Sequence, residues 1–213
     1  MSTMPGPGAF AFSSRVTEWV DLAHTFGNGC PVNPQDLRHV SFSHWTFEGT
    51  IGSGTMVVHH LLEPLLETVL GVAFAERFPI HQALPLDDER FRGDDEVSMA
   101  ANNSSCFNYR LISGTTRPSN HSWGAAVDLN PLQNPYLYAD GHWGPSAEID
   151  YTDRTLDLPG MFTAAHPVVR AFIDAGFQWG GNWERPDYHH FEALGLVLGV
   201  ADSDPTAAHK PRA

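Results

Sequence analysis

The sequence predicts an α+β fold: a small, mostly antiparallel sheet that carries a single metal site and is flanked by helices. Three observations point that way. Residues 61–78 and 165–175 have helical apolar spacing, with proline or glycine at their ends. Residues 39–59, 106–112, 125–129 and 177–179 read as strands bounded by Gly, Pro, Asn or Ser. Finally, the block Ser119-Asn-His121-Ser-Trp-Gly124-Ala-Ala126-Val-Asp128 is answered downstream by Asp187-Tyr-His-His190-Phe-Glu192. Together these blocks hold two imidazoles and a carboxylate suited to a divalent ion, and a second carboxylate beside the last imidazole.

Taken in order, residues 1–14 contain Pro5, Gly6, Pro7 and Gly8 and read as a flexible lead. A short helix is expected from Arg15 to His24, closed by the punctuation between Gly27 and Pro34. In residues 39–59, Phe42, Trp45, Phe47, Ile51, Met56 and Val58 with intervening glycines predict strands or a hairpin. The helix over 61–78 is rich in Leu, Glu and Ala; Pro64 suits its first turn and Pro79 stops it. Residues 85–96 hold Asp87, Asp88, Glu89, Asp94, Asp95 and Glu96 and read as an exposed loop. Their spacing matches no EF-hand loop, so solvation is expected there rather than calcium. A strand over 106–112 ends near Ser113-Gly114, and a shorter one over 125–129 closes at Asn130-Pro131. Residues 133–160 read as loop, 165–175 as a helix with Gly176 just past its end, and 177–179 as a strand that turns at Gly180-Gly181. Residues 201–213 form a polar tail. The 213 residues suit one domain over 15–200, with a motif-bearing part at 95–192 and an N-terminal elaboration at 15–94.

Hydrophobic residues make up 42% of the chain, enough for a sizeable core. A net charge of −13 argues against nucleic acid or an anionic membrane as partner, and no apolar run is long enough to span a bilayer. The N-terminus has neither a basic n-region nor an apolar h-region, so no secretory signal is expected. With only Cys30 and Cys106, a cysteine-rich zinc site is excluded. Two free thiols are the expectation, and a Cys30–Cys106 disulfide is the alternative.

The first block poses a geometric problem. On one straight helix, His121 and Asp128 would be separated by about 10 Å along the axis, too far for one ion. Gly124 resolves this by permitting a tight turn between them. On the following strand Ala126 and Asp128 share one face, while Val127 and Leu129 face the core. In the second block Asp187 precedes His190 by three residues, so in a turn or helical register both lie on one side. Chemistry alone leaves His189 and His190 as equal candidates for the next ligand. Histidines outside the two blocks default to structural or solvent-exposed roles.

The pattern Ser-x-His-x-x-Gly-x-Ala-x-Asp followed by Asp-x-x-His-Phe-Glu resembles the VanY-like D-alanyl-D-alanine carboxypeptidase family. These are LAS-type zinc peptidases, which also include phage L-alanyl-D-glutamate endolysins. Ser119, His121, Gly124, Ala126 and Asp128 fill every defined position. The resemblance spans residues 95–192 and takes in Phe107-Asn-Tyr-Arg110 and Trp179-Gly-Gly; residues 1–90 carry no comparable motif.

The resemblance implies a LAS/hedgehog-like sheet with one zinc ion held by His121, Asp128 and His190, so it selects His190 over His189. It implies Asp187 as general base and Arg110 as the group that contacts substrate and stabilises the oxyanion. A surface salt bridge is the other reading of Arg110, and Arg117 is a weaker candidate. Ser119 is expected to buttress the His121 loop by hydrogen bonding. Trp123, Tyr136, Tyr138, Trp143, Trp179, Trp183 and Tyr188 either line a peptide groove or pack internally. The Gly180-Gly181 pair serves a close backbone approach or a simple turn.

The activity implied is hydrolysis of peptidoglycan stem peptides at the bacterial cell wall by a monomer. The bond would be D-Ala-D-Ala in a carboxypeptidase or L-Ala-D-Glu in an endolysin-like endopeptidase. The missing signal suits phage delivery, whereas the long N-terminal portion is unlike a minimal endolysin. The competing class is a zinc-binding module without catalysis, which would have no need of Asp187.

Overall fold

The computed structural model describes residues 8–199; the first seven residues of the expected lead and the tail after Ala201 lie outside them. Three antiparallel strands, β1 (Phe12–Val16), β2 (Leu37–Trp45) and β3 (Ile51–His59), form one sheet in that order. The hairpin expected over 39–59 is β2–β3, with Leu37 opposite His59 and Trp45 opposite Ile51. The helix expected from Arg15 to His24 is instead the end of β1 followed by a 3-10 turn, Trp19–Leu22. Two causes favour this. The free edge of β2 takes β1 in register, Phe12 opposite Phe42 and Val16 opposite Arg38. The Arg15 guanidinium then clasps both oxygens of Asp21 at 2.6 and 2.7 Å, which the weak helical propensity of this segment does not outweigh.

Helix α1 (Glu63–Ala75) starts with Pro64 in its first turn and buries Leu66, Val69, Leu70 and Ala73, spaced i, i+3, i+4, i+7. After β4 (Gln82–Ala83) comes α2 (Asp95–Ala100), which begins inside the stretch expected to be loop. The Asp94 carboxylate accepts from the Val97 amide at 3.1 Å, so one of the acids nucleates a helix as its cap. Strand β5 (Asn103–Ser104) pairs with β4 in parallel, unlike the other strand pairings among the described residues.

The strand expected over 106–112 does not form as a unit. Its amides bond to four different places: Phe107 to Val57, Asn108 to His121, Tyr109 to Thr25 and Ile112 to Arg117. A segment whose partners change residue by residue is extended but belongs to no ladder. Residues 133–160, expected as loop, contain a small hairpin of β7 (Tyr136–Leu137) and β8 (Trp143–Gly144), which follows β6 (Ala126–Asp128). Helix α3 (Pro167–Asp174) starts at His166, whose Nδ1 accepts from the Val168 amide at 3.2 Å. Then come β9 (Gln178–Trp179), β10 (His190–Glu192) and α4 (Leu194–Leu198).

The second three-stranded sheet is antiparallel in the order β6-β10-β9. The main core lies between the two sheets and helices α1 and α3, with Val40, Phe42, Leu66, Val127, Phe172 and Phe191 among its buried residues. The architecture is therefore α+β with small, mostly antiparallel sheets, as the sequence predicts. Among the described residues no helix is long and apolar enough to cross a membrane.

Strand β6 is reached through a 3-10 turn, Asn120–Trp123, that ends at Gly124 with φ 63° and ψ 30°. A Cβ there would lie 2.8 Å from the His59 amide nitrogen, and the Gly124 carbonyl accepts from that same amide at 2.9 Å. Both the left-handed backbone and the contact with β3 therefore require glycine. Gly124→Ala should cost about 1–3 kcal/mol in denaturant unfolding. Phe191 stacks on Phe172 at 3.9 Å and meets Phe162 edge-on at 5.2 Å. Phe191→Ala should cost about 3–5 kcal/mol in the same measurement.

Candidate metal centre

The register of β6 against β10 arranges the site. Val127 stands opposite Phe191, and Phe191 opposite Trp179; all three belong to the core. Because strand side chains alternate, the neighbouring positions turn to the other face. There Asp128 stands opposite His190, and Glu192 lies between Ala126 and Gln178. The amide and carbonyl of Asp128 both bond to Ser105 at 2.9 Å instead of to β10. Asp128 and His190 are thus a non-hydrogen-bonded antiparallel pair, the kind whose side chains approach most closely. His121 arrives from the 3-10 turn, its ring held by a hydrogen bond from Nδ1–H to the Cys106 carbonyl at 2.6 Å.

His121, Asp128 and His190 are all buried, and one ligand atom from each lies within 4.8 Å of the others. His121 Nε2 is 3.3 Å from His190 Nδ1 and 3.2 Å from Asp128 Oδ2; His190 Nδ1 is 2.9 Å from Asp128 Oδ1. Ligands placed tetrahedrally around zinc at about 2.0–2.1 Å would be about 3.3 Å apart. The proton positions also suit a cation. His121 uses Nδ1–H on a carbonyl, and His190 donates Nε2–H to Glu192 Oε2 at 2.9 Å. Without a cation the His190 Nδ1 faces Asp128 as a hydrogen-bond donor; once a metal displaces that proton, two imidazole lone pairs and a carboxylate would converge with no donor among them.

The electrostatics agree. Burial disfavours an imidazolium at His190, but its hydrogen bonds to Asp128 and Glu192 outweigh this and raise its pKa well above the ordinary value. Burial likewise opposes charge on Asp128, yet the His121 and His189 imidazoles hold its carboxyl well below the usual range. The centre of this cluster stabilises positive charge.

Asp187 lies at the start of the turn into β10; His190 N–H reaches its carbonyl at 3.4 Å. Burial raises the pKa of the Asp187 carboxyl; the Asp128 charge adds to this while His189 and His190 oppose it. Its Oδ1 is 3.1 Å from His189 Nε2 but outside hydrogen-bonding geometry, and it has no hydrogen-bond partner. His189 donates Nδ1–H to the Asn134 carbonyl at 2.7 Å, and its Nε2 stands 4.0 Å from Asp128 Oδ2. Adjacent on the chain, the two histidines therefore part company: His190 joins the trio that could hold a metal, and His189 stands against Asp187. Nothing in residue type alone marked His189 for that position.

Gly180 forms a turn, and its close approach is to Asp187. The Asp187 amide donates to the Gly180 carbonyl at 3.0 Å, and a Cβ at Gly180 would lie 2.6 Å from the Asp187 oxygen.

Arg110 is tied to the His121 turn through its backbone: its carbonyl accepts from the Ser119 amide at 2.9 Å and the Ser122 hydroxyl at 3.0 Å. Its guanidinium pairs with Asp95 at 2.7 Å and is partly exposed, while Nε is buried without a hydrogen-bond partner. The salt-bridge reading of Arg110 is thus realised. Its positive charge still reaches Tyr136, as does the negative charge of Asp187. Arg117 is exposed in the turn beyond. Ser119 buttresses the His121 turn through its backbone, with no side-chain cap; the hydroxyl that braces this turn belongs to Ser122.

Of the aromatics, Trp179 is in the core, Trp123 packs against it, and Trp183 lies 5.3 Å from the His190 ring. Trp143 stacks on Tyr188 at 5.6 Å, and Tyr136 meets Tyr138 at 4.7 Å with the rings tilted by 54°, beside the Asp187 segment. Cys30 and Cys106 are free thiols. The acids of 87–96 are engaged locally: Asp87 with Thr25, Asp88 with Arg90, Asp95 with Arg110 and Glu96 with Tyr138.

No curated protein and no solved structure matches this chain. Over residues 113–193, which contain His121, Asp128, Asp187 and His190, the chain matches the family of D-alanyl-D-alanine carboxypeptidases.

Proposed function

We propose that this protein is a zinc peptidase that hydrolyses the peptidoglycan stem peptide at the cell wall, acting as a D-alanyl-D-alanine carboxypeptidase. The observation that carries this reading is the convergence of three lone-pair atoms beside a buried carboxylate that has an oxygen to spare. A structural zinc site closes with four protein ligands; here three converge, which suits catalysis. The match to a family of D-alanyl-D-alanine carboxypeptidases favours the carboxypeptidase cleavage over the endopeptidase one.

Zinc bound by His121, Asp128 and His190 would polarise the scissile carbonyl and acidify a water molecule toward neutral pH. Asp187 takes the proton of the attacking water on Oδ1, and its raised pKa makes it a better base for this than an ordinary carboxylate. As the C–N bond breaks, the same carboxyl returns that proton to the leaving amine. His189 Nε2 stands 3.1 Å from Asp187 Oδ1 and offsets part of the effect of burial on its pKa. Arg110, freed from Asp95 or sharing it, contributes positive charge toward the oxyanion or the substrate carboxylate.

His121→Ala should abolish both zinc binding and hydrolysis of purified wall. Asp187→Asn should retain zinc and lose hydrolysis about 10²–10⁴-fold. Mass spectrometry of digested muropeptides, with and without chelator, should show loss of one terminal alanine. Release of the peptide between L-Ala and D-Glu would instead assign the endopeptidase activity, and zinc uptake without any cleavage would leave a binding module.

A further inference from the structure

We infer that Glu192 is a positioning residue that selects the tautomer of His190 and thereby sets the affinity of the metal centre. The inference rests on reading that centre as a zinc site. Glu192 follows His190 by two residues on β10, so both side chains lie on the same face. Its Oε2 accepts from His190 Nε2–H at 2.9 Å and from Asn120 Nδ2–H at 2.7 Å. Asn120 immediately precedes His121. One carboxylate oxygen therefore ties together the two chain segments that supply the imidazole ligands.

The consequence follows from where His190 can keep its proton. A neutral imidazole has one N–H, and both ring nitrogens of His190 face a carboxylate: Nδ1 is 2.9 Å from Asp128 and Nε2 is 2.9 Å from Glu192. With the proton on Nδ1, the ring would donate to Asp128 and close the position a metal needs. With the proton on Nε2, Nδ1 presents its lone pair to the ion. Glu192 is only 6% exposed, so its charge-assisted hydrogen bond is shielded from water and favours the second arrangement. The bond also makes the ring a stronger donor to a cation. Asn120 donates to the same carboxylate oxygen and holds it in place.

The test is the zinc dissociation constant, measured by competition with a chelating dye, alongside unfolding of the metal-free proteins. Glu192→Gln keeps the shape and an acceptor but loses the charge, and should weaken zinc binding about tenfold. Glu192→Ala also loses the acceptor and should weaken it toward about 100-fold. Metal-free Glu192→Gln should unfold close to the native midpoint, so that the affinity loss is not general destabilisation. Equal zinc affinity in native, Glu192→Gln and Glu192→Ala proteins would overturn the inference and leave the zinc reading intact. If the alanine variant does not fold, the glutamine variant alone decides. A native protein that takes up no zinc at all would remove the underlying reading itself.

Discussion

The registration of β10 between β6 and β9 is the constraint on which the site depends. Three core residues, Val127, Phe191 and Trp179, lie in one row across the strands and are packed against helices and aromatic rings. A slip of one residue would turn that row to the other face, where it would lose its packing. The row behind it has no such freedom. Asp128, His190 and Glu192 face the other way because Phe191 and Val127 face the core. Hydrophobic burial thus holds Asp128 and Glu192 against the two ring nitrogens of His190, contacts that none of the three would seek alone.

Regular structure covers little of the chain around this sheet, and buried amide side chains do the work of ladders. Asn134 is fully buried; its Oδ1 accepts from the Phe162 amide at 2.7 Å and from Arg154 Nη2 at 3.0 Å, while its carbonyl receives His189. Arg154 also donates to the carbonyls of Gln133 and Tyr151, and its guanidinium lies 4.3 Å from the Tyr188 ring centroid. Burial brings its pKa down to about 10, so it remains a cation at neutral pH. Asn102, Asn103 and Asn130 satisfy the backbone of neighbouring loops in the same manner. Each such loop end is fixed by hydrogen bonds to backbone groups that would otherwise be buried unpaired.

Where apolar residues keep one period over many positions, as in α1, α3 and the β2–β3 hairpin, the elements were legible in the sequence. The need for glycine at position 124 was legible too, because two candidate ligands seven residues apart must fold back to share one ion. Elements whose identity lies in a partner were not. Strand β1 exists because β2 offers it an edge, and residues 106–112 lose their ladder because each amide finds a different acceptor. Helix α2 hides in a run of acids, one of which caps it. Ser122 was passed over for Ser119, since nothing in residue type says which hydroxyl faces the Arg110 backbone. Glu192 was present in the motif but silent: its position beside His190 becomes visible only once that segment is a strand with a two-residue repeat.

Asp128 and His190 are 62 residues apart in sequence, and the hairpin, α3 and the loops between them all lie inside that interval. A cation gripping both residues, as the proposed function requires, would therefore be a topological clasp as well as a chemical reagent. It closes a long loop in the folded chain that nothing closes in the unfolded one. By mass action, free metal at a hundred times its dissociation constant would add about 2.7 kcal/mol to the stability of the whole domain. The same ion that readies the chemistry would then make the chain's resistance to unfolding depend on the metal content of its surroundings.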